Sequence, residues 1–248
     1  MKKLPFPFEL RMSRGQLIFG LVYLPFHILI LPLLLPAVLM EAGMTDLGEI
    51  NLVYYAVSFV LVLAVFWSYL RGEFDPLVER LGHCIITFFM ALGLDYVLSL
   101  AVNSVVMAVT GGVDNPNDSM IGEIALESGG AIKAAAIFMA PIVEEVLFRG
   151  VIFGGVRQKN RLLAYVLSVL MFSVYHVWQY VAVSGDWTLL IYVLQYLPVS
   201  IVLAWAYERS GSLWVPIGFH MLINSMSFAV EKMLAELPEG MLSFGFLF

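Results

Sequence analysis

Glu144 and Glu145 stand side by side in Pro141-Ile142-Val143-Glu144-Glu145-Val146-Leu147-Phe148-Arg149-Gly150, inside a run otherwise apolar enough to span a bilayer. A charged side chain at bilayer depth costs about 2.5–3.5 kcal/mol on insertion scales, so such groups mark functional sites facing the protein interior. On a helix Glu145 and Arg149 are i and i+4, share a face and can pair. Glu144 is turned ~100° from Glu145 at 3.6 residues per turn, so it needs a partner on another helix. The chain has four histidines: His27, His83, His176 and His220. His176 closes Phe172-Ser173-Val174-Tyr175-His176, and His220 opens His220-Met221-Leu222-Ile223-Asn224, which puts His220 and Asn224 on one helix face.

A buried carboxyl group near a neutral histidine can hold and deprotonate a water, and burial suits a glutamate to the part of general base. A second histidine with an asparagine amide offers donors for a developing oxyanion. Glu144, His176, His220 and Asn224 would suffice to hydrolyse a carbonyl compound without a serine or cysteine nucleophile. The same residues also allow a metal site. Glu144, His176 and His220 make a two-histidine, one-carboxylate set, a zinc ligand set with an open position for water. The spacing between helices separates neither reading from the other.

The composition says what must position these groups. The chain of 248 residues is 61% hydrophobic and 13% charged, with mean hydropathy +0.90, whereas soluble domains hold about 25% charged residues. The expected fold is all-α: a polytopic transmembrane bundle of about seven helices, one domain over 1–248, with the catalytic core at about 131–232. The lone Cys84 excludes an internal disulfide and any multi-cysteine metal site. No basic patch with interleaved aromatics is present, so the partner is the lipid bilayer and not nucleic acid. Lys2, Lys3, Arg11 and Arg14 precede a long apolar segment without a small-residue cleavage site, which reads as a retained signal anchor.

The hydrophobic segments run roughly over 17–40, 52–70, 81–110, 131–154, 162–183, 188–207 and 213–232, each near the ~20 residues that a span needs. Pro25, Pro32 and Pro36 predict kinks in the first. Asp114-Asn115-Pro116-Asn117-Asp118 marks a turn after the third. The apolar tail at 243–248 is too short for another span. With the N-terminus cytoplasmic, the inner loops collect Lys2, Lys3, Arg11, Arg14, Arg71, Arg80, Arg157, Lys159, Arg161 and Arg209, and the outer side only Lys133 and Lys232. At 1.5 Å per residue Glu144 lies ~15 Å, His176 ~21 Å, His220 ~11 Å and Asn224 ~17 Å from the cytoplasmic ends of their segments, so all four reach mid-membrane depth. His83 falls at a cytoplasmic end. Gly150 and Gly154 form a small-xxx-small pair that predicts close approach of the fifth or seventh segment.

Glu144-Glu145-x-x-x-Arg149, Phe172-x-x-x-His176 and His220-x-x-x-Asn224 together resemble the three motifs of the CPBP intramembrane proteases, which include the type II CAAX prenyl endopeptidases and the bacterial Abi proteins. The resemblance covers residues 131–224; the first three segments match only as generic membrane helices. It implies a helical membrane fold with a catalytic cavity inside the bilayer, and peptide-bond hydrolysis. It implies that Glu144 activates water with His176, that His220 and Asn224 stabilise the oxyanion, and that Glu145 and Arg149 support the site. The implied substrate is a peptide or membrane protein, prenylated or not, at the cell membrane. The implied mechanism needs no cofactor, with zinc the alternative.

Blander readings stand beside these. Glu144, Glu145 and Arg149 could form a structural ion cluster, but one arginine cannot neutralise two carboxylates. His176 and His220 taken singly read as hydrogen-bonded core histidines, and Asn224 as a helix–helix hydrogen bond. Phe172 reads as packing, His27 as structural, and Asp95 as structural or a proton-path residue. A non-catalytic scaffold or regulator of the same fold has no need for buried ionisable groups. A proton-coupled transporter lacks the paired interrupted segments that transporters show.

Overall fold

A computed structural model of the protein describes residues 8–112, 115–127 and 130–235. Lys2, Lys3, Asp114 and the apolar tail at 243–248 lie outside the described residues. The described residues form helices and no strand. α1 (Arg14–Pro25) passes through a π-helical turn, Phe26–Ile30, into α2 (Leu31–Glu41). α3 (Leu47–Gly72), the short α4 (Phe74–Glu79), α5 (Leu81–Thr110) and α6 (Pro116–Glu127) follow. From α7 (Gly130–Ala134) the chain stays helical through a π turn at Ala135–Met139, α8 (Ala140–Glu144), a π stretch at Glu145–Gly154 and α9 (Gly155–Arg157). α10 (Arg161–Tyr175), α11 (Trp178–Ser184), a 3-10 turn at Trp187–Tyr192, α12 (Val193–Ser210) and α13 (Trp214–Ala235) complete it.

Side-chain caps set several starts. Ser13 and Gln16 form a capping box on α1, while Asp46 accepts from Glu49 N–H in the first turn of α3 and Asn160 from Leu163 N–H in that of α10. Among the described residues four helices are long and apolar enough to cross a membrane: Arg14–Glu41, Leu47–Glu79, Leu81–Thr110 and Trp187–Ser210. α10 and α11, bent by 44°, make a fifth if they are one span. The expected seven is not reached on these grounds. The fourth segment carries Lys133, Glu144, Glu145 and Arg149, and the seventh supplies a shorter apolar helix, Trp214–Val230.

The outer surface is apolar, unlike that of a soluble protein, around an interior that is also largely apolar. α3 and α5 present exposed apolar side chains such as Val60, Trp67, Phe89 and Val97, as lipid-facing helices must. Every residue of the charged stretch Glu145–Gly154 is buried instead. The charged helix is therefore the axis, with α1, α10 and α12 packed against it.

The small-residue pair on that axis predicts an approach of the fifth or seventh segment. The structure places other partners there. A Cβ at Gly150 would meet Tyr69 of α3 at 3.0 Å and Met12 at 3.1 Å, and one at Gly154 would meet Leu10 at 2.7 Å. α10 reaches the axis elsewhere, where Ser168 Oγ donates to the Phe148 carbonyl at 2.9 Å.

Basic residues lace one end of the bundle. Arg11 donates to the Gly211 carbonyl at 3.2 Å and lies 3.7 Å from Glu73, while Arg157 and Arg161 converge on Glu208. Polar uncharged and acidic groups gather at the other end. There Tyr196 Oη donates to Asp118 at 2.7 Å and Tyr180 Oη donates to Asn117 at 3.2 Å.

The tightest approach is testable with alanine. A Cβ on Gly20 of α1 would lie 2.3 Å from Val151 and 3.3 Å from Phe66, whereas one on Gly15 meets nothing within 4 Å. Overpacking costs about 1–3 kcal/mol, while alanine gains about 0.8–1 kcal/mol of helix propensity over glycine. Gly20→Ala should lower the thermal unfolding midpoint in detergent, and Gly15→Ala should hold or raise it.

Candidate active site

α8 ends at Glu144 and the π stretch begins at Glu145, so the two carboxylates sit on the seam between two windings. Glu145 and Arg149 are fully buried and paired, Nη1 to Oε1, at 3.1 Å. Arg149 Nη2 donates to the carbonyl and the hydroxyl of Ser200 on α12, at 3.1 and 3.0 Å. The guanidinium also lies 4.1 Å over the ring of Phe172 on α10, a cation–π contact. Each buried ion thus has its opposite and at least one further hydrogen bond, which makes such burial tolerable, although Glu145 Oε2 and Arg149 Nε are left unbonded.

His220 of α13 touches both carboxylates: Nδ1 stands 2.9 Å from Glu145 Oε1, and Nε2 3.7 Å from Glu144 Oε2. His176 sits at the break between α10 and α11. Its Nδ1 is 2.9 Å from the Phe172 carbonyl and its Nε2 3.7 Å from Glu144 Oε2. A carbonyl oxygen only accepts, so His176 carries a proton on Nδ1. Glu145, paired with arginine, accepts from His220 Nδ1 in the same way. Both rings therefore aim Nε2 at Glu144 Oε2, which has no hydrogen-bond partner. In the neutral tautomers the three facing atoms are all acceptors. A water, with two hydrogens to donate, fits polar contacts of this length.

Asn224 lies one turn beyond His220, and its amide donates to the Ala136 carbonyl at 2.9 Å. The reason is local. In the π turn Ala140 N–H bonds to the Ala135 carbonyl. The next donor in that register would be residue 141, a proline with no N–H. Asn224 supplies the missing donor, and the second N–H of its amide is left for other use.

Several contributors have no sequence signal of their own. Ser200 is one serine in an apolar helix. The Phe172 ring, which reads as packing, both underlies Arg149 and lies 4.5 Å from the His176 ring. Tyr196 of α12 stacks on His176 at 4.5 Å and 24°, and Asn115 and Asn117 each donate to its hydroxyl, at 3.0 and 3.1 Å. Asp95 is buried on α5 with Oδ1 unbonded, and His83 Nε2 bonds the Arg209 carbonyl at the basic end. Among the described residues no group of three His, Cys, Asp or Glu is arranged to hold a metal ion.

The fold and site define a class in outline: a bundle of apolar helices with carboxylates and imidazoles gathered in its interior. Residues 131–226 match the family described as type II CAAX prenyl endopeptidase Rce1-like. No curated protein and no solved structure matches the chain. The matched segment contains Glu144, Glu145, Arg149, His176, His220 and Asn224, so the likeness falls on the residues that this site brings together.

Removing the arginine would strand the Glu145 carboxylate. Breaking a buried pair costs about 3–5 kcal/mol. Arg149→Met should lower the thermal midpoint strongly, and the double variant Glu145→Gln/Arg149→Met should recover much of the loss. Equal midpoints for the single and double variants would contradict the pairing.

Proposed function

We propose that the protein cleaves peptide bonds in peptides or membrane-associated proteins, with a water activated by Glu144 and His176. The observation that carries this reading is the placement of Glu144 Oε2 between two histidine Nε2 atoms, 3.7 Å from each, in a buried site. The water donates one hydrogen to Glu144 and the other to His176 Nε2. As its oxygen bonds to the scissile carbonyl carbon, one proton passes to Glu144. The resulting oxyanion is held by the second amide hydrogen of Asn224 and by His220, whose Nε2 takes a proton from solvent before the attack so that it can donate, with Nδ1–H kept on Glu145. Collapse breaks the C–N bond, and the proton held by Glu144 goes to the leaving amine. Preorganised donors and a general base are worth about 10²–10⁴-fold each in rate.

The Rce1-like description points to membrane-associated, prenylated peptides as the first substrate class. The orientation that we favour puts the basic end, with Arg11, Arg157 and Arg161, in the cytoplasm. The location that fits is the cell membrane, crossed several times.

Purified protein in detergent, offered prenylated and unprenylated peptides, tests the reading. Glu144→Ala and His176→Ala should lower kcat by about 10²-fold or more while leaving the thermal midpoint near that of the parent, and chelator should change nothing. Cleavage retained in Glu144→Ala would overturn the assignment. Activity lost to chelator and restored by zinc would turn Glu144, His176 and His220 into metal ligands.

A further inference from the structure

His27 takes no part in this chemistry, yet its surroundings are unusual for a packing residue. It is 1% exposed on the π turn Phe26–Ile30, outside the segment that carries the family match. Its ring lies between those of Tyr54 and Tyr175, 5.7 Å from each and within 26° and 28° of parallel. Nε2 stands 3.4 Å from both of their hydroxyls, and Nδ1 3.4 Å from the Tyr23 hydroxyl. The Tyr54 and Tyr175 hydroxyls are 3.1 Å apart. Polar groups in an apolar interior are costly unless bonded, and phenylalanine would pack as well.

A small cavity joins this cluster to Glu144. Its volume is about 10 Å³, and its walls include His27, Tyr54, Ser58, Tyr175 and Glu144. By that measure it takes about one water, which needs two to four polar partners. Ser58 Oγ is buried on this wall beside the Tyr23 hydroxyl, and Glu144 Oε2 is buried without a hydrogen-bond partner. Hydrolysis consumes one water per bond cleaved, and Glu144 itself is only 7% exposed. Water for the next turnover must come from a polar space that touches Glu144.

We infer that the cavity between His27, Tyr54, Ser58, Tyr175 and Glu144 is a water-holding site that supplies the hydrolytic water. The inference rests on the hydrolytic role proposed for Glu144. Tyr54 and Tyr175 offer hydroxyl donors, His27 fixes the direction of those hydroxyls, and Ser58 closes the wall. All four are positioning residues. Substrate binding does not involve them, so their loss should appear in kcat and not in KM.

Two readouts test this on the full-length protein in detergent. Radiolytic hydroxyl-radical footprinting, read by mass spectrometry, labels buried side chains beside a bound water and needs no substrate. Tyr175 should be labelled in the parent, and the label should be lost in His27→Phe, which keeps the stacked ring but removes both nitrogens. In peptide cleavage His27→Phe and Tyr175→Phe should lower kcat about five- to tenfold, the factor that one lost hydrogen bond carries. KM should stay unchanged, and His27→Gln should recover part of the loss. Absence of label at Tyr175 in the parent, or full kcat in both phenylalanine variants, overturns the inference. Unimpaired cleavage by Glu144→Ala would instead overturn the hydrolytic reading, and the labelling result is independent of it.

Discussion

Glu145 and Arg149 are buried completely, and the orientation of both imidazoles beside Glu144 depends on that pair. Two ions withdrawn from water need each other and need their remaining hydrogen bonds filled. Arg149 meets most of this demand with one nitrogen on Glu145, another on Ser200 and its face on Phe172, while its Nε and Glu145 Oε2 stay without a hydrogen bond. Phe172 then turns His176 through its carbonyl, and Glu145 turns His220 through its free lone pair. α10, α12 and α13 are tied to the same helix by these contacts. Glu144 has no such tie of its own. It is the carboxylate left without a counter-ion on its own helix once its neighbour has been neutralised.

The wide windings of the axis are a second constraint. π turns occur in short pieces and often at functional sites, and here they flank both Pro141 and the two glutamates. An unfilled backbone carbonyl inside a bilayer costs several kcal/mol. Asn224 covers the one that Pro141 leaves at Ala136, which locks α13 in register with the glutamates. The asparagine is thereby the bracket that sets the depth of His220, one turn before it on α13.

Hydropathy made the helices legible, because an apolar run can be read one segment at a time. The pairing of Glu145 with Arg149 was legible because both lie on one helix at i and i+4. What lay on other helices was not. Tyr196 on His176, Ser200 on Arg149 and Tyr69 against Gly150 depend on how helices face one another. Counting at 3.6 residues per turn sends Glu144 and Glu145 to separate partners, yet one imidazole reaches both, across a seam where the winding changes. His27 reads as structural from sequence; the available signal was Tyr23, one turn before it, whose hydroxyl it meets. The count of seven spans rests on apolarity, and the segment that holds the site is the one whose charges obscure it.

The central claim is that Glu144 activates water and does not itself attack the substrate. A single turnover in ¹⁸O-labelled water, with enzyme in excess over a cleaved peptide, decides between the two. The account predicts one ¹⁸O in the new carboxylate of the first product and none in the peptide containing Glu144. An unlabelled first product, with the label found in Glu144, would mean an acyl intermediate on the glutamate and would contradict it.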